Sequence, residues 1–161
     1  MSDNSPILLW YSRDLRLSDH PALSAAAQSG RPVIPVFIKD TTVDALGAAP
    51  KWRLGLGLGA LADSFDAMSS KLVLREGDAL DVLQALVKET GAEAVYWSRL
   101  YDPASLQRDS KIKETLCDQG VDAKSFGGHV MFEPWSVETK AGDCYKVYTP
   151  FWNNVKTRDV E

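Results

Sequence analysis

Short apolar runs alternate with longer periodic segments along most of this chain. Five runs rich in aliphatic and aromatic residues are short enough to be strands, and they fall at residues 7–10, 33–38, 72–74, 94–97 and 121–126. The segments between them carry apolar residues at helical spacing, as in the stripe of Leu54, Leu58, Leu61, Phe65 and Met68. This pattern predicts four helices, beginning near residues 20, 52, 80 and 103, and an irregular loop over residues 39–50.

Capping residues indicate where these helices begin and end. Pro21 at an early helical position predicts a helix with Ser18 or Asp19 as its N-cap. Asp102 followed by Pro103 predicts the N-cap and first position of the last of the four helices. Glycines of the type that ends a helix follow three of the segments, at Gly30, Gly91 and Gly120.

Strands and helices that alternate with connections of this length predict parallel strands and right-handed crossovers. We therefore predict an α/β fold, a doubly wound, mostly parallel five-stranded Rossmann-like sheet with helices on both faces. Pro35 has no N–H to donate, so we expect its strand to be irregular or close to a sheet edge.

The regular alternation stops after residue 126. We expect one α/β domain over residues 1–130 and a linker segment over residues 131–161. The aromatic residues of this segment, which include Tyr145, Tyr148, Phe151 and Trp152, either pack back on the domain or meet another one. We interpret the chain as an N-terminal piece of a longer protein.

Composition narrows the class of protein. The 161 residues carry 18 Lys and Arg against 22 Asp and Glu, and the net charge of −4 argues against a free-standing nucleic-acid-binding protein. Cys117 and Cys144 form neither a metal-ligand spacing nor a disulfide framework, which favours a reducing compartment. The N-terminus lacks the features of a secretory signal, and no apolar run is long enough to cross a bilayer. We therefore expect a cytoplasmic protein with no membrane partner.

Candidate chemistry is concentrated in two loops that follow predicted strands. In an open parallel sheet, ligands bind at the carboxyl ends of the strands, where the strand order reverses. The first and fourth loops there carry Arg13, Asp14, Arg16, Asp19, Arg99, Tyr101 and Asp102. Arginines at such an edge suit a polyanionic or heterocyclic ligand, because the guanidinium group offers planar, paired donors. The alternative interpretation is that these charges only tie a long loop to its neighbours through ion pairs.

Known catalytic patterns do not account for these residues. The glycines Gly55, Gly57 and Gly59 lack the spacing of a dinucleotide-binding loop and fall inside a predicted helix, where close packing on the sheet explains small residues. The sequence has no phosphate loop of the GxxxxGK[ST] type, and neither His20 nor His129 lies in a nucleophile motif. The residues indicate a ligand-binding α/β domain without visible catalytic machinery.

Residues 10–23, WYSRDLRLSDHPAL, resemble the opening signature of the DNA photolyase/cryptochrome family, W-x-R-x-D-L-R-x-x-D-N-x-A-L. Two departures stand out, since the spacing of Arg13 differs and His20 replaces the usual Asn. Further similarity follows in the family's order at residues 77–78, 95–97, 101–103, 108–109 and 145–152, so the resemblance spans essentially the whole chain.

The resemblance implies that this is the N-terminal α/β domain of a two-domain flavoprotein. In the family, a larger helical domain binds FAD and damaged DNA, and light-excited reduced flavin splits a pyrimidine dimer by electron donation. The α/β domain of many members holds an antenna chromophore, which is methenyltetrahydrofolate, a deazaflavin, a flavin or a lumazine, and which passes light energy to FAD. The parent protein is then a deoxyribodipyrimidine photo-lyase or a blue-light-signalling cryptochrome that meets damaged DNA only at full length. We expect the fragment alone to be catalytically inactive.

The resemblance also implies which residues contact the antenna, namely Arg13, Phe37, Ile38, Arg53 and Asp102. Asp102 stands where the family usually has Glu, so its carboxylate is retracted by one methylene group. Two of these residues have plainer interpretations from the sequence alone, Asp102 as a helix cap and Phe37 as a core aromatic residue at the end of a strand.

Two other functions remain open at this point. The first is a stand-alone adenine-nucleotide-binding protein of the universal-stress type, although the glycine-rich phosphate loop of that family is not found after the fourth strand. The second is an interaction module that docks a partner through its aromatic C-terminal segment. For the antenna interpretation, we expect the domain to fold alone and to bind its chromophore weakly, because part of the pocket wall is missing.

Overall fold

Five parallel strands form a single sheet in a computed structural model, which describes residues 4–159. The strands are β1 Ile7–Tyr11, β2 Val33–Lys39, β3 Val73–Glu76, β4 Ala94–Ser98 and β5 Asp122–Phe126. The helices are α1 Pro21–Gln28, α2 Thr41–Asp44, α3 Ala48–Ala67, α4 Ala79–Thr90, α5 Pro103–Asp118 and α6 Tyr148–Val155, with a short 3-10 helix at Pro134–Ser136. The strand order is β3-β2-β1-β4-β5, so the chain adds strands outwards from β1 in one direction and then, from β4 onwards, in the other.

The two faces of the sheet bury different residues of the same strand. In β1, Ile7, Leu9 and Tyr11 belong to the core that α1 and α3 cover, whereas Leu8 and Trp10 belong to the core under α4 and α5. Every residue of this central strand is buried, because helices cover the sheet on both sides. The arrangement confirms the predicted doubly wound α/β fold with helices on both faces.

Pro35 lies in β2, the strand next to the edge strand β3, which agrees with the expectation of an edge-proximal position. Strand β2 pairs with β1 on one side and β3 on the other, and Pro35 lies opposite Leu9. Pairing with β3 begins only at Val36, which lies opposite Val73. At Pro35 the strand is therefore paired with a neighbour on one side only, so an N–H that would point to the other side is not required for sheet hydrogen bonds.

The predicted loop at residues 39–50 contains the short helix α2 and the first turn of α3. Asp40 caps α2, since its Oδ1 accepts hydrogen bonds from the amides of Thr42 and Val43 at 3.0 and 3.2 Å. This capping follows the usual chemistry of Asp at an N-cap. The prediction missed it because a four-residue helix has no detectable apolar period.

The apolar stripe predicted on α3 is confirmed at four of its five positions. Leu61 and Phe65 are buried against the sheet, and Leu54 and Leu58 pack beside them. Met68 is 56% exposed, because the helix ends at Ala67 and the chain leaves the stripe there.

The N-cap of α1 is His20, and not Ser18 or Asp19. Its Nδ1 accepts a hydrogen bond from the amide of Leu23 at 3.1 Å. Asp19 instead takes a left-handed backbone conformation, with φ of +50°. The predicted capping by Asp102 is confirmed, since its Oδ1 accepts from the amide of Ser105 at 3.0 Å.

The segment after β5 adds no strand within the described part of the chain. The carbonyl of Gly128 accepts a hydrogen bond from Arg16 in the first loop, at 2.8 Å. Further along, α6 presents exposed Tyr148 and Trp152, whose rings stack at 6.3 Å. Neither Cys117 nor Cys144 is in a disulfide. None of the helices in residues 4–159 combines the length and apolar character that crossing a membrane requires.

Candidate functional site

The loops after β1 and β4 meet at the carboxyl edge of the sheet, on the two sides of the point where the strand order reverses. Arg13 in the first loop and Asp102 in the fourth form an ion pair, with Nη1 3.2 Å from Oδ2. Partial burial raises the pKa of Asp102, but hydrogen bonds with Ser105 and the charge of Arg13 outweigh this effect and lower it. Two of the predicted site residues are thus in direct contact, and Asp102 is also the helix cap that the plainer interpretation expected.

The first loop is anchored from below by Asp14 and His20, which are both buried. Asp14 Oδ1 accepts from the amide of Ser12 at 3.0 Å, and His20 Nε2 lies 2.8 Å from Asp14 Oδ2. Because His20 Nδ1 accepts the amide of Leu23, its proton is on Nε2 and faces the carboxylate. Burial raises the pKa of Asp14, but hydrogen bonds from His20, Ser98 and Ser12 outweigh it and bring the pKa to about 2.

Arg16 also has an anchoring role in this loop. Its Nε donates to the carbonyl of Asp19 at 3.0 Å, and its Nη2 donates to the carbonyl of Gly128 at 2.8 Å. These contacts tie the first loop to the segment after β5. For Asp14 and Arg16, the structure therefore supplies the tying contacts that the alternative interpretation of the loop expected.

A cleft of about 670 Å³ lies between the first loop and α3, and we call it the α3 cleft. The loop contributes Arg13 and Arg16 to its lining, and α3 contributes Arg53 and the apolar residues Leu54 and Leu56. Two predicted site residues, Arg13 and Arg53, thus line one cleft, and Asp102 joins them through its ion pair with Arg13. Their side chains bring positive charge to an otherwise partly apolar cavity.

Gly57 allows α3 and the first loop, which follows β1, to approach each other closely. A Cβ atom at this position would lie 3.0 Å from Cδ1 of Leu15, which is too close without movement. Gly57 therefore packs against the loop and not against the sheet. A Cβ atom at Gly55 or Gly59 would meet nothing within 4 Å, so close packing on the sheet does not explain those two glycines and that interpretation was wrong.

Phe37 and Ile38 lie away from the α3 cleft and point to opposite faces of the sheet. Phe37 is buried and borders a different cavity of about 450 Å³, between α3 and the edge strand β3. Ile38 packs in the other core with Trp10 and Trp97. The two side chains point to opposite faces because successive residues of a strand alternate, and neither of them lines the cleft that Arg13 and Arg53 share.

A buried charged cluster links β2 to α5, and the sequence offered little sign of it. Arg108 Nη1 donates to Asp40 Oδ2 at 2.7 Å, and its Nε donates to Asp109 Oδ1 at 2.8 Å. The same guanidinium group lies 4.8 Å above the ring of Trp10. Residues 108 and 109 were noticed only through the family resemblance, and the partner Asp40 is 68 residues away in the chain.

Arg99 and Tyr101 in the fourth loop face the segment after β5 and not the α3 cleft. Both donate to Glu133, Arg99 Nη1 at 2.6 Å and Tyr101 Oη at 2.7 Å, and Arg99 lies 5.1 Å from the ring centre of Trp135. Burial, together with the hydrogen bond to Glu133, raises the pKa of Tyr101 to about 12. Glu133 and Trp135 carry no sequence signal of this role, since they lie in a segment without periodicity.

The arrangement at the edge of the sheet is suited to binding. The α3 cleft combines guanidinium donors with apolar walls, which is the composition of a site for a ring system with acidic groups. Within residues 4–159, no group of three or more His, Cys, Asp and Glu side chains is placed to hold a metal ion.

Comparison with known proteins places this chain in a family. The family model for DNA photolyase matches residues 7–160. A deoxyribodipyrimidine photo-lyase from Agrobacterium fabrum is 43% identical over 96% of this chain and 32% of its own length. Cryptochrome-2 from Arabidopsis thaliana is 32% identical over 100% of this chain and 27% of its own length. The chain thus spans about a third of the curated relatives it matches.

Solved structures agree with these relatives. A bacterial class III photolyase from Agrobacterium tumefaciens superimposes with a TM-score of 0.92 at 43% identity, covering 98% of this chain and 33% of that one. An archaeal photolyase from Sulfolobus tokodaii superimposes with a TM-score of 0.72 at 26% identity, covering 97% of this chain and 36% of that one. These matches confirm the resemblance seen in the sequence and do not favour the universal-stress-type alternative. The chain belongs to the DNA photolyase family.

Proposed function

We propose that this chain is the antenna-chromophore domain of a two-domain photolyase or cryptochrome and that its α3 cleft holds the chromophore. The rest of the protein, beyond the third of its relatives that this chain spans, binds FAD and damaged DNA in this proposal. The chromophore absorbs near-ultraviolet or blue light and passes the energy to FAD. This chain has a binding role and no bond-breaking role, and it acts in the cytoplasm.

The observation that carries the proposal is the set of three arginines around one cleft of ligand size. The cavity of about 670 Å³ falls within the range of small-molecule sites, about 300–1,000 Å³. Arg53 forms no ion pair with any residue in 4–159, and the side chain of Arg13 is 61% exposed despite its contact with Asp102. Both guanidinium groups are therefore available to an anionic ligand, while Leu54 and Leu56 offer apolar surface to a ring.

The charge of the cleft favours some antenna chromophores over others. Methenyltetrahydrofolate carries glutamate carboxylates and flavin nucleotides carry phosphate, whereas a lumazine ring has no such group of its own. Arginine binds carboxylate and phosphate through paired hydrogen bonds, so a chromophore with an acidic tail suits Arg13 and Arg53 better. The Sulfolobus structure contains two FAD molecules and implies a novel light-harvesting cofactor in that protein. Phe37 and Ile38 act as core residues in this proposal, and Asp102 holds Arg13 in position.

The proposal also assigns residues 131–161 as the linker towards the FAD domain and residues 1–130 as the α/β domain. Val147, Tyr148 and Trp152 are all about half or more exposed, at 64%, 69% and 48%. Several large, exposed apolar side chains on one short segment suit contact with another domain.

Titration of the chain with methenyltetrahydrofolate and with FMN, followed by absorption and fluorescence, tests the proposal. We expect weak binding, and we expect Arg53→Gln to raise the Kd at least about tenfold, because a charged hydrogen bond to the acidic tail is lost. Arg75→Gln is the matched control, since Arg75 is an exposed arginine outside the α3 cleft. Equal loss in both variants, or binding of ATP with no response to either chromophore, would contradict the proposal.

A further inference from the structure

The face of α3 that points away from the sheet is exposed and carries large apolar side chains. Four of its residues follow helical spacing, namely Trp52, Leu56, Gly59 and Asp63. We call this surface the α3 outer face. Trp52 is 69% exposed and Leu56 is 49% exposed. Because these two side chains lie one helical turn apart, they form one apolar patch, and such a patch indicates an interaction surface.

Gly59 leaves a hollow beside this patch. A Cβ atom at Gly59 would meet nothing within 4 Å, so none of the described residues fills the space. Glycine is a poor helix former, and Gly57 has a reason to be in α3 because the first loop packs against it. Gly59 has no such contact within residues 4–159. The hollow is therefore open to a side chain from another molecule.

The two halves of α3 carry opposite charges. Arg53 lies in its N-terminal half, and Asp63 and Asp66 lie in its C-terminal half. All three residues are exposed, and none of them forms an ion pair with another residue in the part of the chain that the structure describes. The apolar patch belongs to the positive half, whereas the hollow at Gly59 belongs to the negative half. Each half of the helix thus offers what the other half lacks.

This division makes the outer face complementary to itself when two copies of α3 pack antiparallel. A two-fold axis that passes between residues 57 and 58 places Leu56 of one copy opposite Gly59 of the other, since both lie equally far from the axis. The same axis brings Arg53 of one copy beside Asp63 of the other. Parallel packing would instead bring like charges together, which opposes association.

We propose that the α3 outer face binds the same face of a second copy of this chain, with the two helices antiparallel. Leu56 of each copy fills the hollow at Gly59 of the other, and Arg53 pairs with Asp63 across the contact. A contact that uses one helix from each copy is small, and interfaces below about 1,200 Å² are weak and transient. The dimer is therefore reversible, with a Kd between about 1 μM and 1 mM.

The proposal does not rest on the chromophore function, because it concerns the chain without a ligand. Arg53 and Leu56 also line the α3 cleft, so an anionic ligand in that cleft competes with the second copy for them. Trp52 lies outside the lining of the cleft. A change at Trp52 therefore acts on the dimer alone.

Analytical ultracentrifugation of the ligand-free chain, from about 1 μM to about 1 mM at low salt, tests the proposal. We expect the sedimentation coefficient to rise with concentration, and we expect Trp52→Glu to raise the Kd at least tenfold. Trp152→Glu is the matched control, since Trp152 is an exposed tryptophan on α6. A chain that stays monomeric would overturn the proposal and favour the rest of the parent protein as the occupant of this face. Loss of the dimer in Trp152→Glu alone would also overturn it.

Charge reversal distinguishes antiparallel pairing from other uses of the same face. Arg53→Glu and Asp63→Lys each place like charges opposite one another in a dimer of identical copies, so each variant alone should dimerise at least tenfold more weakly. An equimolar mixture of the two variants should recover the dimer, because every position 53 then faces a position 63 of opposite charge. A mixture that dimerises no better than its components would overturn the proposal.

Filling the hollow separates a docking role from a merely structural one. Gly59→Gln adds a side chain where the folded chain has open space and improves helix propensity, so the melting temperature should not fall. The Kd of the dimer should nevertheless rise at least tenfold, and an unchanged Kd would overturn the proposal. Trp52→Glu should leave the binding of methenyltetrahydrofolate and FMN intact, so this proposal and the proposed function fail separately.

Discussion

The rim of the α3 cleft and the charged cluster around Arg108 hold their charged groups in opposite ways. At the rim, the side chain of Arg13 is 61% exposed although it pairs with Asp102. In the cluster, Asp40 and Asp109 are buried and both accept hydrogen bonds from Arg108. An exposed cation can bind an anionic ligand at little cost in desolvation, whereas buried charges that are already paired with each other fix the elements that carry them. The rim therefore suits binding and the cluster suits anchoring.

The floor of the α3 cleft also differs from its rim. Asp14 and His20 are buried and hold the first loop from below, while Arg13 at the rim is mostly exposed. A buried, hydrogen-bonded floor fixes the first loop, while the exposed side chain at the rim is open to a ligand. The following predictions test this division between floor and rim.

The largest effect is expected from Asp14→Ala. The change removes the acceptor of the buried Nε2–H of His20 and of the part-buried amide of Ser12, which we expect to lower the free energy of unfolding by about 3 kcal/mol. Urea denaturation measures it. Asp63→Ala, at an exposed position on α3, should change stability by less than about 0.5 kcal/mol. A similar small change in both variants would show that Asp14 does not anchor the loop.

Protonation of Asp14 in acid should lower the free energy of unfolding somewhat less than the Asp14→Ala substitution does. The pKa of Asp14 is about 2 in the folded chain against 3.8 for the ordinary group, so its ionised form favours folding. This contribution, about 2 kcal/mol, is present above pH 4 and is lost as the pH falls from about 4 towards 2. Urea titrations at several pH values measure it. The slope over this range should be shallower in Asp14→Asn, and equal slopes would refute the assignment.

Removal of the α5 cap should have an effect of about 1 kcal/mol. Asp102→Ala deletes the acceptor for the amide of Ser105, whereas Asp102→Asn keeps a capping oxygen. Thermal denaturation should therefore show a clear loss for Asp102→Ala and a smaller loss for Asp102→Asn. If the two variants were equally destabilised, the ion pair and not the cap would be the main contribution of Asp102.

The smallest effect is expected from the ion pair at the rim. A double-mutant cycle with Arg13→Gln and Asp102→Asn should give a coupling energy below about 0.5 kcal/mol, because exposed ion pairs contribute little. Stability measurements of the four proteins supply the cycle. A coupling well above 1 kcal/mol would mean that Arg13 is committed to Asp102 and is not available to a ligand.

Local patterns predicted most of the fold correctly. Each of the five strands lies within two residues of its predicted bounds, because buried parallel strands are short continuous apolar runs between turn residues. The helix N-caps formed by side chains were harder to predict. Asp102 was predicted, but His20 was not, since an imidazole seldom caps a helix and its role here depends on the buried contact with Asp14.

The structure brings only some of the predicted site residues together. Arg13 and Arg53 line one cleft and Asp102 pairs with Arg13. Phe37 and Ile38 instead turn into the two cores. Nothing in the local sequence around Asp40 indicated its ion pair with Arg108. That pair depends on how the end of β2 and the helix α5 lie relative to each other after packing.

The sequence by itself determined the α/β class, the number of strands, the family and the two arginine-bearing loops, because each depends on residue type and spacing along the chain. Only the tertiary structure decided that Arg13 and Arg53 line one cleft, that Phe37 and Ile38 face away from it, and that Asp40 pairs with Arg108. These relations join residues tens of positions apart, and burial, distance and direction between them exist only once the sheet and helices have packed together.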